Sequence, residues 1–457
     1  MPGSHNIGYN WVKHSHCVTG KQPFSFSGCL ISSFYSYRNN PTFARQYPPM
    51  TTLTRLGYII LSLLIASCGH MEEPAKASYV EALTQLNAGV LKEAGLSGHG
   101  VKIGIIDLGF SGLNENPATR NLFERARIVF AKQYYPDSLP VFFSPGETHG
   151  FAVTFMMGGQ SKRDTCFGGA LAVDADYYLA KIGKSTFENK TFGDEENNVR
   201  IALEDLYQRG VRLVNFSLGY WDEFENDEEN YSPAMMDGKT TRIAKICREF
   251  AAKGMIIVTA AGNTGEYAWR IVWTPADVEE VITVGACNRL SVPHRVSYSS
   301  IGNPLVDFVK PDVVCYSTWG TSLSTPVITS LIALMLETDS TLTPLQVKRI
   351  LQKASNLYPY PNNYVGYGIP DAALILELLD DPGLEPNRVK VIHTEAEQLV
   401  IETTSPSNLL FQKSGPYVVK RQYLLEPEDG KITLRRKRNI PRSTLVTGPQ
   451  VYEIFWK

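Results

Sequence analysis

Gly320-Thr321-Ser322-Leu323-Ser324-Thr325-Pro326 sets a serine at the head of an apolar run that continues to about Leu336. A serine that opens a helix lies among backbone N–H groups with no internal acceptor, a place suited to a developing negative charge. Two other segments match it. Asp107 closes the apolar run Val101-Lys102-Ile103-Gly104-Ile105-Ile106, and His149 opens a helical segment in Thr148-His149-Gly150-Phe151-Ala152-Val153. A hydroxyl is a poor nucleophile at neutral pH and needs a neighbouring base, itself oriented by a third group. Each residue also has an ordinary explanation: a strand-terminal Asp forms turns, a His before Gly neighbours a helix start, and a Ser before a helix is a frequent N-cap. Asp, His and Ser so far apart act together only if the fold converges them.

The pattern around them predicts such a fold. Val101–Ile106, Tyr177–Ile182, Val211–Phe216, Met255–Ala260 and Val281–Gly285 are continuous apolar runs, as strands covered on both faces require. Helical segments lie between them at Gly150–Met157, Glu195–Arg209 and Thr241–Lys253, with Gly210 and Gly254 as C-terminal stops. The alternation predicts an α/β domain: a doubly wound, mostly parallel sheet with helices on both faces. The helix after Ser322, then Val347–Lys353 and Asp371–Leu379, complete it.

Taken in order, these motifs resemble the subtilisin-like serine proteases (subtilases, peptidase S8 type) over roughly Gly98 to Leu379. Ala260-Ala261-Gly262-Asn263 resembles the family's oxyanion-hole segment, and Asn215-Phe216-Ser217-Leu218-Gly219 its substrate-binding strand. Val281–Ala286, Lys310-Pro311-Asp312-Val313 and Tyr367–Ala372 match framework segments. The resemblance implies a serine endopeptidase with catalytic Asp107, His149, Ser322 and Asn263. Substrate would lie against Ser217, Leu218, Gly219, Ala261 and Gly262. Such chemistry requires no cofactor and no metal. The same resemblance admits two other readings: a catalytically silent peptide-binding surface scaffold, or a peptide acyltransferase using the same triad. Retention of all four reacting groups weighs against the scaffold. The chain departs from the family at Leu108, Phe151 and Leu323, where Ser or Thr, Thr, and Met are common. The approach Asp312–Trp319 is read as a loop, shorter than the family's.

Composition adds bounds. A chain of 457 residues, 43% apolar and 20% charged, holds one large α/β domain with appendages. Its net charge of −2 gives no global field for nucleic acid. The run Leu56–Ser67, preceded by Arg55 and followed by Cys68, is short for a membrane span and resembles a lipoprotein signal. The expected organisation is an upstream extension at 1–49, a signal peptide at 50–67, a tether at 68–84, the peptidase domain at 85–380 and a small β-rich module at 381–457. Lipidation of Cys68 would anchor the exported protein to a bacterial cell envelope, so the expected partners are peptide or protein substrates and a membrane. Of seven cysteines, Cys166, Cys247, Cys287 and Cys315 read as buried free thiols. The acidic run Trp221–Asn230 reads as a solvated insertion, or as a site for a structural calcium or basic substrates. Arg435-Arg436-Lys437-Arg438 reads as the guard of an exposed strand edge.

Overall fold

The apolar runs become the strands of one parallel sheet. The computed structural model describes residues 72–135, 140–143, 147–160, 164, 166–183, 192–222 and 230–457. In chain order these form α1 (Glu72–Gln85), α2 (Gly89–Glu93), β1 (Lys102–Asp107), α3 (Arg120–Glu124), β2 (Ile128–Gln133), α4 (His149–Gly158), β3 (Asp176–Lys181), α5 (Phe192–Gln208) and β4 (Leu213–Phe216). Next come α6 (Arg242–Ala252), β5 (Ile256–Ala260), β6 (Ile282–Cys287), β7 (Val313–Tyr316), α7 (Thr321–Thr338), α8 (Pro344–Ala354) and α9 (Ala372–Asp380). The seven strands run in the order β2-β3-β1-β4-β5-β6-β7, all parallel. From β1 the chain leaves toward β2, and from β4 it leaves toward β5. The crevice beyond their C-terminal ends is therefore a topological switch point, where open α/β sheets bind ligands.

The strands inside the sheet bury both faces, and the edge strand β2 does not. Ile103, Ile105, Leu213, Ile256 and Val258 join the core beneath α1, α4 and α7, while Ile106, Val214, Ile257 and Phe216 meet α5 and α6. Helix α7 is long and apolar enough to cross a membrane, yet it is almost wholly buried because it runs through the centre of the larger core. Helices α5 and α6 give way to Gly210 and Gly254, at φ +74° and +93°, as their positions predict.

Three expectations are corrected. The tether reading of 68–84 gives way to α1, whose Tyr79, Ala82 and Leu83 are buried in the main core. Gln85 at its end accepts from Tyr316 N and donates to Asn288 O and Leu290 O, each at 2.8 Å. Part of Asp312–Trp319 is strand rather than loop, since β7 closes the sheet at Val313–Tyr316. Cys247, Cys287 and Cys315 are buried free thiols, but Cys166 is exposed and disulfide-bonded. Segment 1–49, the signal-like run 50–67, Cys68 and acidic residues 223–229 lie outside the described residues.

Beyond α9 the chain forms β8 (Val389–Thr394), β9 (Gln398–Glu402), β10 (Asn408–Lys413), β11 (Val419–Leu425), β12 (Lys431–Arg435), β13 (Arg442–Thr447) and β14 (Gln450–Trp456). A five-stranded sheet, β11-β10-β13-β14-β8, carries the β9–β12 pair on one face through Leu410, Ile432, Leu434, Leu445 and Ile454. Its other face places Leu409, Phe411, Val446 and Val451 in the main core. Lys413 and Glu453 share that inner face, fully buried, 2.7 Å apart, and Thr444 Oγ1 donates to Glu453 at 2.7 Å. Burial holds the Lys413 ammonium below its ordinary pKa, and the Glu453 charge opposes that shift. The basic run Arg435–Arg438 is exposed where β12 ends, beside a strand edge that no other described strand covers.

Removing one member of a buried ion pair strands the other charge. Lys413→Ala or Glu453→Ala alone should cost about 3–5 kcal/mol, whereas Lys413→Met with Glu453→Leu should be near neutral. Urea denaturation checks this; single variants no less stable than the double would refute it.

Candidate active site

Asp107 is the last residue of β1 and fully buried, at the switch point. Both of its oxygens lie 2.9 Å from His149 Nδ1, and one accepts from Leu108 N at 2.8 Å. Leu108 thus contributes a backbone donor although it lacks the hydroxyl common at that position. His149 opens α4. Two glycines bring it over the carboxylate: Gly150 N donates to Gly109 O at 2.8 Å, a Cβ on Gly150 would lie 2.6 Å from that oxygen, and one on Gly109 would lie 2.5 Å from Glu147 Cβ. Any larger residue would push α4 away from β1. Phe151 packs against Phe155 and the main core. Glu147, two residues before the histidine, pairs at 2.9 Å with Lys181, and both are buried. Lys181 lies beside Asp107 in register on β3, so this pair ties the approach to α4 onto the strand next to the carboxylate.

Burial alone would depress the imidazolium of His149; the charge and hydrogen bond of Asp107 outweigh it and hold its pKa above the ordinary histidine value. The imidazole edge remains about a third exposed (36%), open to a reactant.

Ser322 is the second residue of α7 and the partly exposed one among buried Thr321, Leu323, Ser324 and Thr325. Its N–H is one that a helix start leaves without an internal acceptor. Pro326 has no N–H to give the Ser322 carbonyl four residues back. That carbonyl instead accepts from Ser217 Oγ at 3.1 Å; Ser217 Oγ accepts from Asn215 Nδ2, whose Oδ1 accepts from Thr329 Oγ1, each at 2.9 Å. The chain of bonds fixes α7 against β4 and the segment Ser217–Gly219 that follows it. Asn263 follows β5. Its Oδ1 accepts from Thr321 N at 2.9 Å and Thr321 Oγ1 at 3.1 Å, which assigns the amide and leaves Nδ2 as the donor. Thr321 Oγ1 also accepts from Gly262 N at 3.1 Å.

Asp107, His149, Ser322, Asn263 and Ser217–Gly219 therefore all sit at the C-terminal end of the sheet. The Subtilase family (peptidase S8) profile matches residues 98–368, more than half of the sequence. The chain belongs to the subtilase family. It is 27% identical to subtilisin DY of Bacillus licheniformis over 60% of this chain and 90% of that one. With subtilisin NAT of Bacillus subtilis subsp. natto it shares 26%, over 65% and 71%. The fold is similar to that of the Clostridium perfringens CspB protease, with 16% identity, coverage of 67% and 98%, and a TM-score of 0.51. This subtilase is a serine-type peptidase whose substrates are proteins or peptides. Among its described residues, no group of three or more His, Cys, Asp and Glu side chains could hold a metal ion.

Sequence reasoning missed Thr321, which holds the Asn263 amide, and the Glu147–Lys181 pair. Thr321 stands inside the quoted motif, but its partner lies far upstream in the sequence. Lys181 was legible only as an odd cation ending an apolar run.

NMR titration of the His149 ring should give a pKa above about 6.5. Asp107→Asn removes the charge and leaves the desolvation, so the value should fall below that of a free imidazole. A pKa unmoved by Asp107→Asn would break the pairing.

Proposed function

We propose that this subtilase is a serine endopeptidase in which Asp107, His149 and Ser322 form the triad. The observation that carries the reading is the buried Asp107 carboxylate held at 2.9 Å from His149 Nδ1. That bond fixes the tautomer with Nε2 free to accept, so His149 takes the Ser322 proton as Oγ attacks the scissile carbonyl. The tetrahedral oxyanion forms between the Ser322 N–H and Asn263 Nδ2. Collapse expels the amine, protonated by His149, and leaves an acyl-enzyme that water then cleaves by the same steps in reverse. Substrate lies extended beside Ser217-Leu218-Gly219, with Ala261 and Gly262 on the opposite side, and is read through its main chain. The base is an imidazole of raised pKa, which acts only when neutral; activity is therefore lost as pH falls through that value.

A fluorophosphonate probe should label Ser322, and labelling should vanish in Ser322→Ala and His149→Ala. Asn263→Ala should lower kcat by about 10²–10³ with little change in KM. Wild-type protein that is folded and unlabelled would overturn the triad; an unchanged kcat would overturn the role of Asn263.

We also propose that the protein is exported and held at a bacterial cell envelope by lipid on Cys68. The support is the apolar run Leu56–Ser67 ending in small residues before that cysteine. Cys68→Ala should move the protein from the membrane fraction to the soluble one, and continued membrane fractionation would refute the anchor.

A further inference from the structure

We propose, building on the triad reading, that Trp273 closes the pocket for the side chain preceding the scissile bond and confines this subtilase to glycine or alanine there. A peptide laid as a strand beside Ser217–Gly219 points alternate side chains to opposite sides. The residue whose carbonyl meets Ser322 and Asn263 lies between two backbones: the segment after β4, with Gly219, and the segment after β5, with Gly262. Its side chain points into the gap between them.

Glycine on both walls would leave that gap open, but the indole of Trp273 fills it. A Cβ on Gly219 would lie 3.0 Å from Trp273 Cε3, and one on Gly262 would lie 2.7 Å from both Cδ2 and Cε2. The ring thus rests against both glycine walls at once. It is held there from several directions. Trp273 N donates to Ala261 O at 3.3 Å, and Nε1 donates to Thr264 Oγ1 at 2.9 Å. The next residue, Thr274, exchanges backbone bonds with Tyr220 at 2.9 and 3.1 Å. Trp221 meets the indole edge-on, with centroids 4.1 Å apart. An indole bonded to Thr264, on a backbone pinned to the segments after β4 and β5 and braced by a second ring, is a fixed floor. Trp273 is mostly buried, with part of its surface still exposed. Against such a floor a hydrogen or a methyl group fits, and a longer side chain does not.

The test uses the full chain and peptide p-nitroanilides with Gly, Ala, Leu or Phe before the scissile bond, with fluorophosphonate labelling of Ser322 in parallel. Wild type should show kcat/KM for Ala at least about 100-fold above Phe. Trp273→Ala should raise the Phe-to-Ala ratio at least about tenfold, and Trp273→Phe by less. Wild type that labels but takes Phe as readily as Ala overturns the plug and leaves the triad standing, whether or not Trp273→Ala folds. A Trp273→Ala protein that still labels but keeps the wild-type ratio overturns the plug in the same way. Folded wild type that does not label overturns the triad reading and the plug with it.

Discussion

The carbonyl of Ser322 has no helical partner, because the residue four positions on is Pro326. That vacancy is filled by Ser217 Oγ, and behind it stand Asn215 and Thr329. One bond thereby registers the helix that carries Ser322 against β4 and the segment after it. With the Thr329–Asn215 and Thr321–Asn263 bonds, it fixes the position of Ser322 relative to β4 and β5. The same first turn holds Asn263 through Thr321, so the helix start sets two walls of the site together.

Buried lysine–carboxylate pairs stand where segments of this fold meet. Lys181 and Glu147 join β3 to the approach of α4; Lys413 and Glu453 sit between the C-terminal sheet and the main core; Lys310 and Asp312, neighbours in sequence and 2.8 Å apart, bond onward to Val281 O and Thr283 N, at and just before β6. Desolvation pushes Lys310 down to about 8 against the pull of Asp312. Buried pairs add little net stability over apolar residues of equal volume, but they penalise any arrangement that separates them. In a sheet whose neighbours are far apart in sequence, they select one register among several apolar alternatives.

The doubly wound sheet was legible because strands covered on both faces read as unbroken apolar runs. Elements lacking that signature were not. β10, Asn-Leu-Leu-Phe-Gln-Lys, is buried along its whole length, yet its polar ends resemble a loop until Lys413 meets Glu453. β2 is an edge strand with alternating burial and little apolar content. Tyr79, Ala82 and Leu83 have the spacing of an amphipathic face, yet the segment 68–84 read as a tether between the signal-like run and the first apolar strand. In the site, Asp107, His149, Ser322 and Asn263 were readable as motifs, since each carries its context with it. Trp273 was not, because a tryptophan in a loop gives no hint that two glycines have been cleared for it.

In the C-terminal sheet, β14 lies between β13 and β8, and Val451 pairs with Val389. The strand that leaves the peptidase core first therefore pairs with one formed much later in the chain. Pairing of this kind carries a large loop-closure cost and folds slowly. Until it is complete, Leu409, Phe411 and Val446 have no settled sheet to hold them against the core. The parallel sheet carries longer closures still, since Ile103 pairs with Leu213, so the surface that receives Leu409, Phe411 and Val446 is itself a product of distant pairing.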